Sequence, residues 1–206
     1  MHAITQPQTH HPQPLAAALA RFALDLRYSD IPAQVRDRAQ SLILDAVGIA
    51  IAANHYPFSS QIMTALSKLG GPGECSVIGR SEQLPLRDAV TMNGALIHGL
   101  DYDDTHMNAI IHATAATLPA LIGMAEQVDA SGEEILTAYA VGMEVAIRLG
   151  LVQPFGWHHE GFHATGVVAH FAAALTAGRL LGLCESQLVC AQGIVGSTAS
   201  ASQEFA

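Results

Sequence analysis

Charged residues are scarce in this sequence, and aromatic residues are scarcer still. Asp, Glu, Lys and Arg make up 13% of the 206 residues and aromatic residues 5%, whereas 50% of the residues are hydrophobic. An average soluble domain is roughly one quarter charged. Because so few charges cannot cover the surface, we expect exposed apolar patches that another subunit or a further domain covers. The composition therefore predicts association, and we predict a homodimer.

Basic residues are the rarer of the two charge types. Nine Lys and Arg stand against eighteen Asp and Glu, which gives a formal net charge of −9. Nucleic-acid binding requires a basic stripe along the phosphates, so we exclude nucleic acid as a partner. An anionic substrate would need local cations within an acidic background. This need makes the eleven histidines the residues of interest.

Cysteine pairs, secretion signals and membrane spans are also lacking. Cys75, Cys184 and Cys190 include no CxxC pair, so we predict reduced core residues. The longest apolar run, residues 42–53, contains Asp45 and falls short of the ~20 residues that span a bilayer. The first fifteen residues have neither a basic nor an apolar segment. We predict a cytoplasmic protein that does not bind membranes, with a disordered tail over residues 1–14.

What the sequence does contain is a helical pattern from residue 15 onward. Leu15, Leu19, Phe22 and Leu26 recur at three- and four-residue steps, the spacing of one helix face. The same pattern, interrupted by turn residues, predicts a second helix that ends at about residue 53. It also predicts helices over about residues 58–69, 86–99, 114–127, 133–151 and 165–181, and a last helix from 186 to the end. Residues 75–79 read as an extended link. We predict one all-α bundle over residues 15–206.

Two polar interruptions break this apolar background, and the first is HGLDYDDTHMNAIIH at residues 98–112. Six of its side chains are carboxylates or imidazoles, namely His98, Asp101, Asp103, Asp104, His106 and His112. Neighbouring carboxylates and imidazoles shift one another's pKa towards neutrality, which permits proton transfer. Spacing alone leaves two alternatives, a solvated loop that caps the next helix and a divalent-cation site.

The second interruption, WHHEGFH at residues 157–163, contains the letters of the zinc-peptidase pattern HExxH. That pattern binds zinc only when both histidines lie one turn apart on a single helix. Gly161 lies inside the motif and Pro154 precedes it, so we expect the helix to begin after His163 and the match to be accidental. His163 is then either a helix-terminal structural residue or a ligand-binding residue beside a helix N-terminus.

The segment from Asn93 to His106, NGALIHGLDYDDTH, resembles the signature of the MmgE/PrpD family. Four further segments resemble that family in the same order, namely YSDIP (28–32), LDAVG (44–48), GECSVIG (73–79) and GFHATG (161–166). The resemblance runs from about residue 15 to the end. It implies the family's N-terminal helical domain, with no metal and no organic cofactor. It also implies a lyase or isomerase that acts on small di- or tricarboxylic acids, as 2-methylcitrate dehydratase, cis-aconitate decarboxylase and iminodisuccinate epimerase do.

The resemblance also implies site residues. Its motif positions make Asp101, Thr105, His112 and His163 catalytic, and His106, Asp104 and Thr165 substrate-binding. One departure concerns His112, because the stretch after Thr105 is one residue longer than in decarboxylase-like members and His-Ala-Thr replaces His-Pro-Ser. His106 is therefore an alternative to His112.

The end of the chain resembles a family helix that runs on to a pocket lysine and is followed by an α/β lid. We therefore expect an incomplete or split form with little activity alone, and a complementing C-terminal polypeptide as a partner. Two other functions stay open, a metal-dependent hydrolase built on the His and Asp clusters and a non-catalytic helical oligomerisation module.

Overall fold

The computed structural model describes residues 14–203, and the elements in this range are nine α-helices, a short 3-10 helix and a two-stranded hairpin. The helices are α1 (Leu15–Asp25), α2 (Ala33–Ala53), α3 (Pro57–Gly70), α4 (Leu86–His98), α5 (Ala113–Val128), α6 (Gly132–Gly150), α7 (Gly156–His159), α8 (Ala164–Leu180) and α9 (Glu185–Gly196). The predicted all-α class is confirmed. The predicted tail lies, apart from Pro14, outside the described residues.

Helix boundaries follow local signals in the sequence. Pro14, Pro32 and Pro85 each immediately precede a helix, and proline fixes a backbone angle that suits this position. Ser131 caps α6, where its hydroxyl accepts a hydrogen bond from the Glu134 N–H and the Glu134 carboxylate accepts one from Ser131. The helices predicted from periodicity therefore begin close to their expected positions.

The centre of the bundle consists of α5, α6 and α8, which pack against one another, with the other long helices around them. Leu118, Leu121, Tyr139, Val145 and Leu175 are fully buried there. A cluster of small residues from the same three helices lies under the ends of α5 and α8, and it includes Ala113, Ala146 and Ala164. Small side chains allow these helix ends to approach closely, which positions the polar residues beside them.

Three sequence expectations about structure are wrong in part. Residues 75–79 are not only a link, because β1 (Cys75–Ser76) pairs antiparallel with β2 (Gln83–Leu84). The last helix does not run to the chain end: α9 stops at Gly196, and Phe162 then pairs with Ser202.

The prediction that all three cysteines are core residues is also wrong for two of them. All three are free, but only Cys75 is buried, whereas Cys184 and Cys190 are exposed. The reason is that α9 covers the bundle from outside and turns Leu188 inward instead. Among residues 14–203, no helix has both the length and the apolar character that crossing a bilayer requires.

Close packing at Gly142 yields a stability prediction. A methyl group at this position of α6 would collide with Thr117 Cγ2 of α5 and lie 2.6 Å from Thr176 Oγ1 of α8. We therefore expect Gly142→Ala to lower the free energy of unfolding by about 1–3 kcal/mol in a urea titration, because the core is overpacked.

Gly48 of α2 is the matched control, since a methyl group there meets no atom within 4 Å. Gly48→Ala should leave stability unchanged or raise it by about 0.5–1 kcal/mol through the better helix propensity of alanine. Equal effects of both substitutions would contradict the close approach at Gly142.

Candidate active site

The first polar interruption is the loop that joins α4 to α5. Helix α4 ends at His98, and Asp101 then adopts a left-handed backbone conformation with φ +51°. Aspartate is one of the few residues that tolerate this conformation. The turn leaves the Asp101 side chain 83% exposed and the Asp103 side chain 1% exposed. Asp103 is therefore the residue that the loop buries.

The second half of this loop is closed by its own hydrogen bonds. The His106 N–H donates to the Ile111 carbonyl at 2.9 Å, and His106 Nδ1 accepts from the Ala109 N–H at 3.2 Å. Ile110 has φ +50°, an unfavourable conformation for a β-branched residue. His106 thus holds the loop closed, and these contacts give no support to the alternative in which it replaces His112.

The second polar interruption ends at the N-terminus of α8. Gly161 has φ +81°, and the chain then enters α8 through His163. The His163 N–H donates to the Ala201 carbonyl at 2.8 Å, so residues after α9 hold this segment in place. The HExxH letters run from His159, the last residue of α7, to His163, the residue before α8, so the two histidines do not share one helix, as expected.

The two interruptions meet in space. The His112 N–H at the start of α5 donates to Thr165 Oγ1 in the first turn of α8, at 3.0 Å. The His98 ring centroid lies 4.7 Å from that of His112 and 5.8 Å from that of His163. Asp101 reaches the same cluster, because its Oδ1 lies 3.5 Å from His112 Nε2. Three of the four predicted catalytic residues, Asp101, His112 and His163, therefore share one site.

The buried carboxylate of Asp103 is the centre of this site. His98 Nδ1 lies 3.1 Å from Asp103 Oδ1 and His112 Nδ1 lies 3.3 Å from the same oxygen. Burial raises the pKa of Asp103, but the contacts with His112 and His98 outweigh burial and lower this pKa from 3.8 to about 2. Asp103 is consequently ionised throughout the neutral range.

His112 is the histidine that this carboxylate affects most clearly. The contact with Asp103 raises the pKa of His112, burial opposes the rise, and the charges of Asp103 and Asp101 add to it. The Nδ1 atom is buried, yet it does not point at Asp103 well enough to form a hydrogen bond. This contact, with 3.3 Å between His112 Nδ1 and Asp103 Oδ1, favours the protonated imidazole.

His163 is shifted in the opposite direction. Burial lowers the pKa of His163, and the neighbouring His98, His158 and His112 lower it further. Its ring lies 6.2 Å from that of His158. One cluster thus contains a histidine that favours the charged form and another that favours the neutral form.

The remaining predicted residues support the site from its edges. Asp104 Oδ1 accepts a hydrogen bond from the Thr114 N–H at 3.2 Å and so caps the first turn of α5, while burial raises the pKa of Asp104. Thr105 is exposed, and its hydroxyl lies 3.4 Å from the Asp103 carbonyl. Thr165 is buried and uses its Oγ1 to hold His112.

Two residues of the cluster, His98 and Asp103, were not predicted as site residues. Both lie inside the first polar interruption, residues 98–112, but sequence spacing does not show which of several aspartates turns inward. A usable signal was the position of His98 in the last turn of an apolar helix, where His112 follows directly before the next helix. Side chains at two such facing helix ends can converge on one carboxylate.

The comparisons with known proteins give one family. The model of the MmgE/PrpD N-terminal domain matches residues 17–206. The cis-aconitate decarboxylase-like protein oryM of Aspergillus oryzae is 33% identical over 189 residues, which are 87% of this chain and 39% of that protein. Cis-aconitate decarboxylase of Aspergillus terreus is 32% identical over 186 residues, and the human enzyme of the same name is 30% identical over 183 residues.

These alignments cover 87% and 85% of this chain but 38% of each decarboxylase. The chain therefore spans less than two fifths of the length of these curated relatives.

The role of Asp103 generates a testable prediction. Asp103→Asn removes the buried charge, so the pKa of His112 should fall from its raised value towards or below the ordinary 6.5. The measurement is a pH titration of the histidine ring signals by NMR.

Asp101→Asn is the matched control, because this carboxylate is exposed and lies 3.5 Å from the other ring nitrogen of His112. It should lower the pKa of His112 by a smaller amount, since solvent screens exposed charges. An unchanged His112 titration in the folded Asp103→Asn variant would show that the buried carboxylate does not control this histidine.

Proposed function

The chain belongs to the MmgE/PrpD family, and on that premise we propose that the protein is a lyase that acts on a small tricarboxylic acid of the cis-aconitate type. Cis-aconitate decarboxylases are among its relatives. The observation that carries the proposal is the pair His112 and His163, whose pKa values are displaced in opposite directions within one cluster. Such divergence is typical of acid and base partners in active sites.

The chemistry explains why such a pair is needed. Loss of carbon dioxide or of a proton next to a carboxylate builds negative charge on the substrate. A fixed positive group stabilises this charge best where water is partly excluded, and a positioned acid then delivers a proton. The site must therefore provide a cation, a proton donor and a neutral base close together.

His112 is suited to the role of cation and proton donor. The ionised Asp103 keeps its imidazole protonated near neutral pH, and the side chain is 17% exposed, so an incoming acid can reach it. Its position at the start of α5 also brings the positive end of that helix to the site. We assign His112 to carboxylate binding and to proton donation.

His163 is suited to the role of neutral base. Its lowered pKa leaves the imidazole unprotonated near neutral pH, so it can accept a proton from the substrate. The first-turn N–H groups of α8 follow it directly, and the N–H groups of a first turn have no acceptor within their own helix. We assign these N–H groups to a substrate carboxylate and His163 to proton abstraction.

The other candidates have supporting roles. The exposed carboxylate of Asp101 faces His112 Nε2 and is suited to orienting this ring or relaying its proton. Thr105 is exposed beside the buried Asp103 and can donate a hydrogen bond to the acid. We assign Thr165 and Asp104 to positioning the two helix ends that hold His112, and His106 to closing the loop.

The charge balance supports participation of further groups. His112 contributes one positive charge, which Asp103 already offsets, whereas a tricarboxylic acid carries up to three negative charges. We therefore propose that cations from a further segment or another subunit complete the site. The exposed Leu44 and Tyr102 line one apolar groove that suits such association, and a homodimer remains our proposal.

These roles predict a bell-shaped pH profile in an active protein that contains this chain. Turnover should fall as pH drops through the lowered pKa of His163, because the base becomes protonated. It should fall again as pH rises through the raised pKa of His112, because the acid loses its proton. The two limbs should lie on either side of 6.5 when kcat/KM for cis-aconitate is measured against pH.

Asp103→Asn provides the check on this assignment, since it should move the alkaline limb to lower pH and leave the acidic limb in place. An alkaline limb that does not move would contradict the role given to His112.

Binding by the 206-residue chain provides a separate prediction. We expect cis-aconitate to shift the NMR signals of the His112 and His163 rings, and His163→Ala to weaken binding at least tenfold, because a substrate contact and the order at the start of α8 are lost. His159→Ala is the control, since this side chain is 87% exposed, and it should bind like the parent. Equal binding by the two variants, or no ring shifts in the parent, would count against the proposed function.

A further inference from the structure

The cluster at the junction of α4 and α5 has a second property that the proposed function does not use. We propose that His98, Asp101, Asp103 and His112 bind a divalent transition-metal ion, for which zinc is the reference. One nitrogen or oxygen atom from each residue lies within 4.8 Å of the corresponding atoms of the other three. This site is distinct from the HExxH segment, and the inference rests on ligand geometry alone.

Distances within the cluster suit tetrahedral coordination. Zinc lies about 2.0–2.1 Å from histidine nitrogen and carboxylate oxygen, so two neighbouring ligand atoms in a tetrahedron are about 3.3–3.4 Å apart. The distance from His112 Nδ1 to Asp103 Oδ1 is 3.3 Å, and that from His98 Nδ1 to the same oxygen is 3.1 Å. Both histidine nitrogens thus lie at about one tetrahedral edge from the same carboxylate oxygen before any metal binds.

One of these ligand atoms, His112 Nδ1, lacks a hydrogen-bond partner. His112 Nδ1 is buried and makes no hydrogen bond, although it lies next to Asp103. A buried polar atom without a hydrogen bond is unfavourable, and coordination to a metal would satisfy it. His98 Nδ1, in contrast, gains a metal bond only by exchanging its contact with Asp103. Because His112 Nδ1 has this ionic contact but no hydrogen bond, an ion shared between the two rings and the carboxylate would satisfy it.

The fourth position is formed by an adaptable residue. Asp101 is 83% exposed and lies beside His112, so its carboxylate can turn towards the ion without disturbing the core. Two carboxylates balance the charge of a divalent ion, and two imidazoles complete a nitrogen and oxygen set that transition metals accept.

Metal and proton compete in this arrangement, because the nitrogen that coordinates an ion must be deprotonated. Zinc affinity should therefore rise with pH. An ion at this position would also occupy the ring that we assign to the acid, so zinc is expected to displace cis-aconitate.

Isothermal titration with zinc alone tests the site on the full 206-residue chain. We expect one strongly bound ion per chain, and at least a tenfold loss of affinity in both His98→Gln and Asp103→Asn. His98→Gln matters because His98 is 35% exposed and its replacement leaves the buried carboxylate in place, should Asp103→Asn fail to fold. Asp101→Ala, at an exposed position, should weaken binding with folding intact.

His159→Ala is the matched control for binding by the other histidine-rich segment. It should bind zinc like the parent, and the histidines near the N-terminus are present in every variant and cancel from the comparison. Cobalt should give the strong visible absorption of a tetrahedral complex in the parent and lose it in His98→Gln. Absence of a strong site, or loss of binding in His159→Ala with retention in His98→Gln, would overturn the proposal, irrespective of whether cis-aconitate binds.

Discussion

The contact between the buried Asp103 carboxylate and two histidines is the interaction on which the rest of the site depends. It joins the last residue of α4, His98, to the residue that precedes α5, His112. A carboxylate that is 1% exposed would be costly without such partners. The partners lower its pKa to about 2, and the resulting negative charge in turn raises the pKa of His112. One buried charge therefore decides the protonation of its neighbours.

The scarcity of charge in the sequence strengthens the same interaction. Helices α5, α6 and α8 pack through small and aliphatic residues, so their ends approach closely, and the Asp103 side chain beside them is 1% exposed. Electrostatic interactions are stronger in such surroundings. The hydrogen bond from the His112 N–H to Thr165 Oγ1 then fixes the start of α5 against the start of α8. Close packing at Gly142, in the middle of α6, supports the same three-helix contact.

The sequence predicted most of the helices and, through the family resemblance, site residues in both polar segments. Helical periodicity and prolines at helix starts are local signals, which is why the ends of α2 and α4 were close to their expected positions. The family resemblance supplied Asp101, Thr105, His112 and His163, and the structure brings Asp101, His112 and His163 into one cluster. Their catalytic roles remain predictions.

What the sequence did not predict depends on contacts between distant segments. Nothing local indicates that Asp103, among three nearby aspartates, is the one that turns inward, since its partners His98 and His112 belong to two different helix ends. Likewise, the end of α9 at Gly196 follows from pairing between residues around Ser202 and Phe162, a separation that periodicity does not detect.

His112 Nδ1 links the two properties proposed for the cluster. With a proton on this atom, the ring is a cation held by Asp103 and faces an acid; without it, the same nitrogen and carboxylate present two ligands about one tetrahedral edge apart. In both states the Asp103 carboxylate is ionised. The protonated imidazole neutralises it in the first state and the metal ion in the second. Because a proton and a divalent ion cannot share one lone pair, a metal ion on Nδ1 would exclude the doubly protonated, cationic form of His112 on which the proposed acid role depends. His163, whose pKa is lowered, is compatible with either state of His112. Whether His112 Nδ1 carries a proton or a metal ion therefore depends on the charge of Asp103 and on the pH.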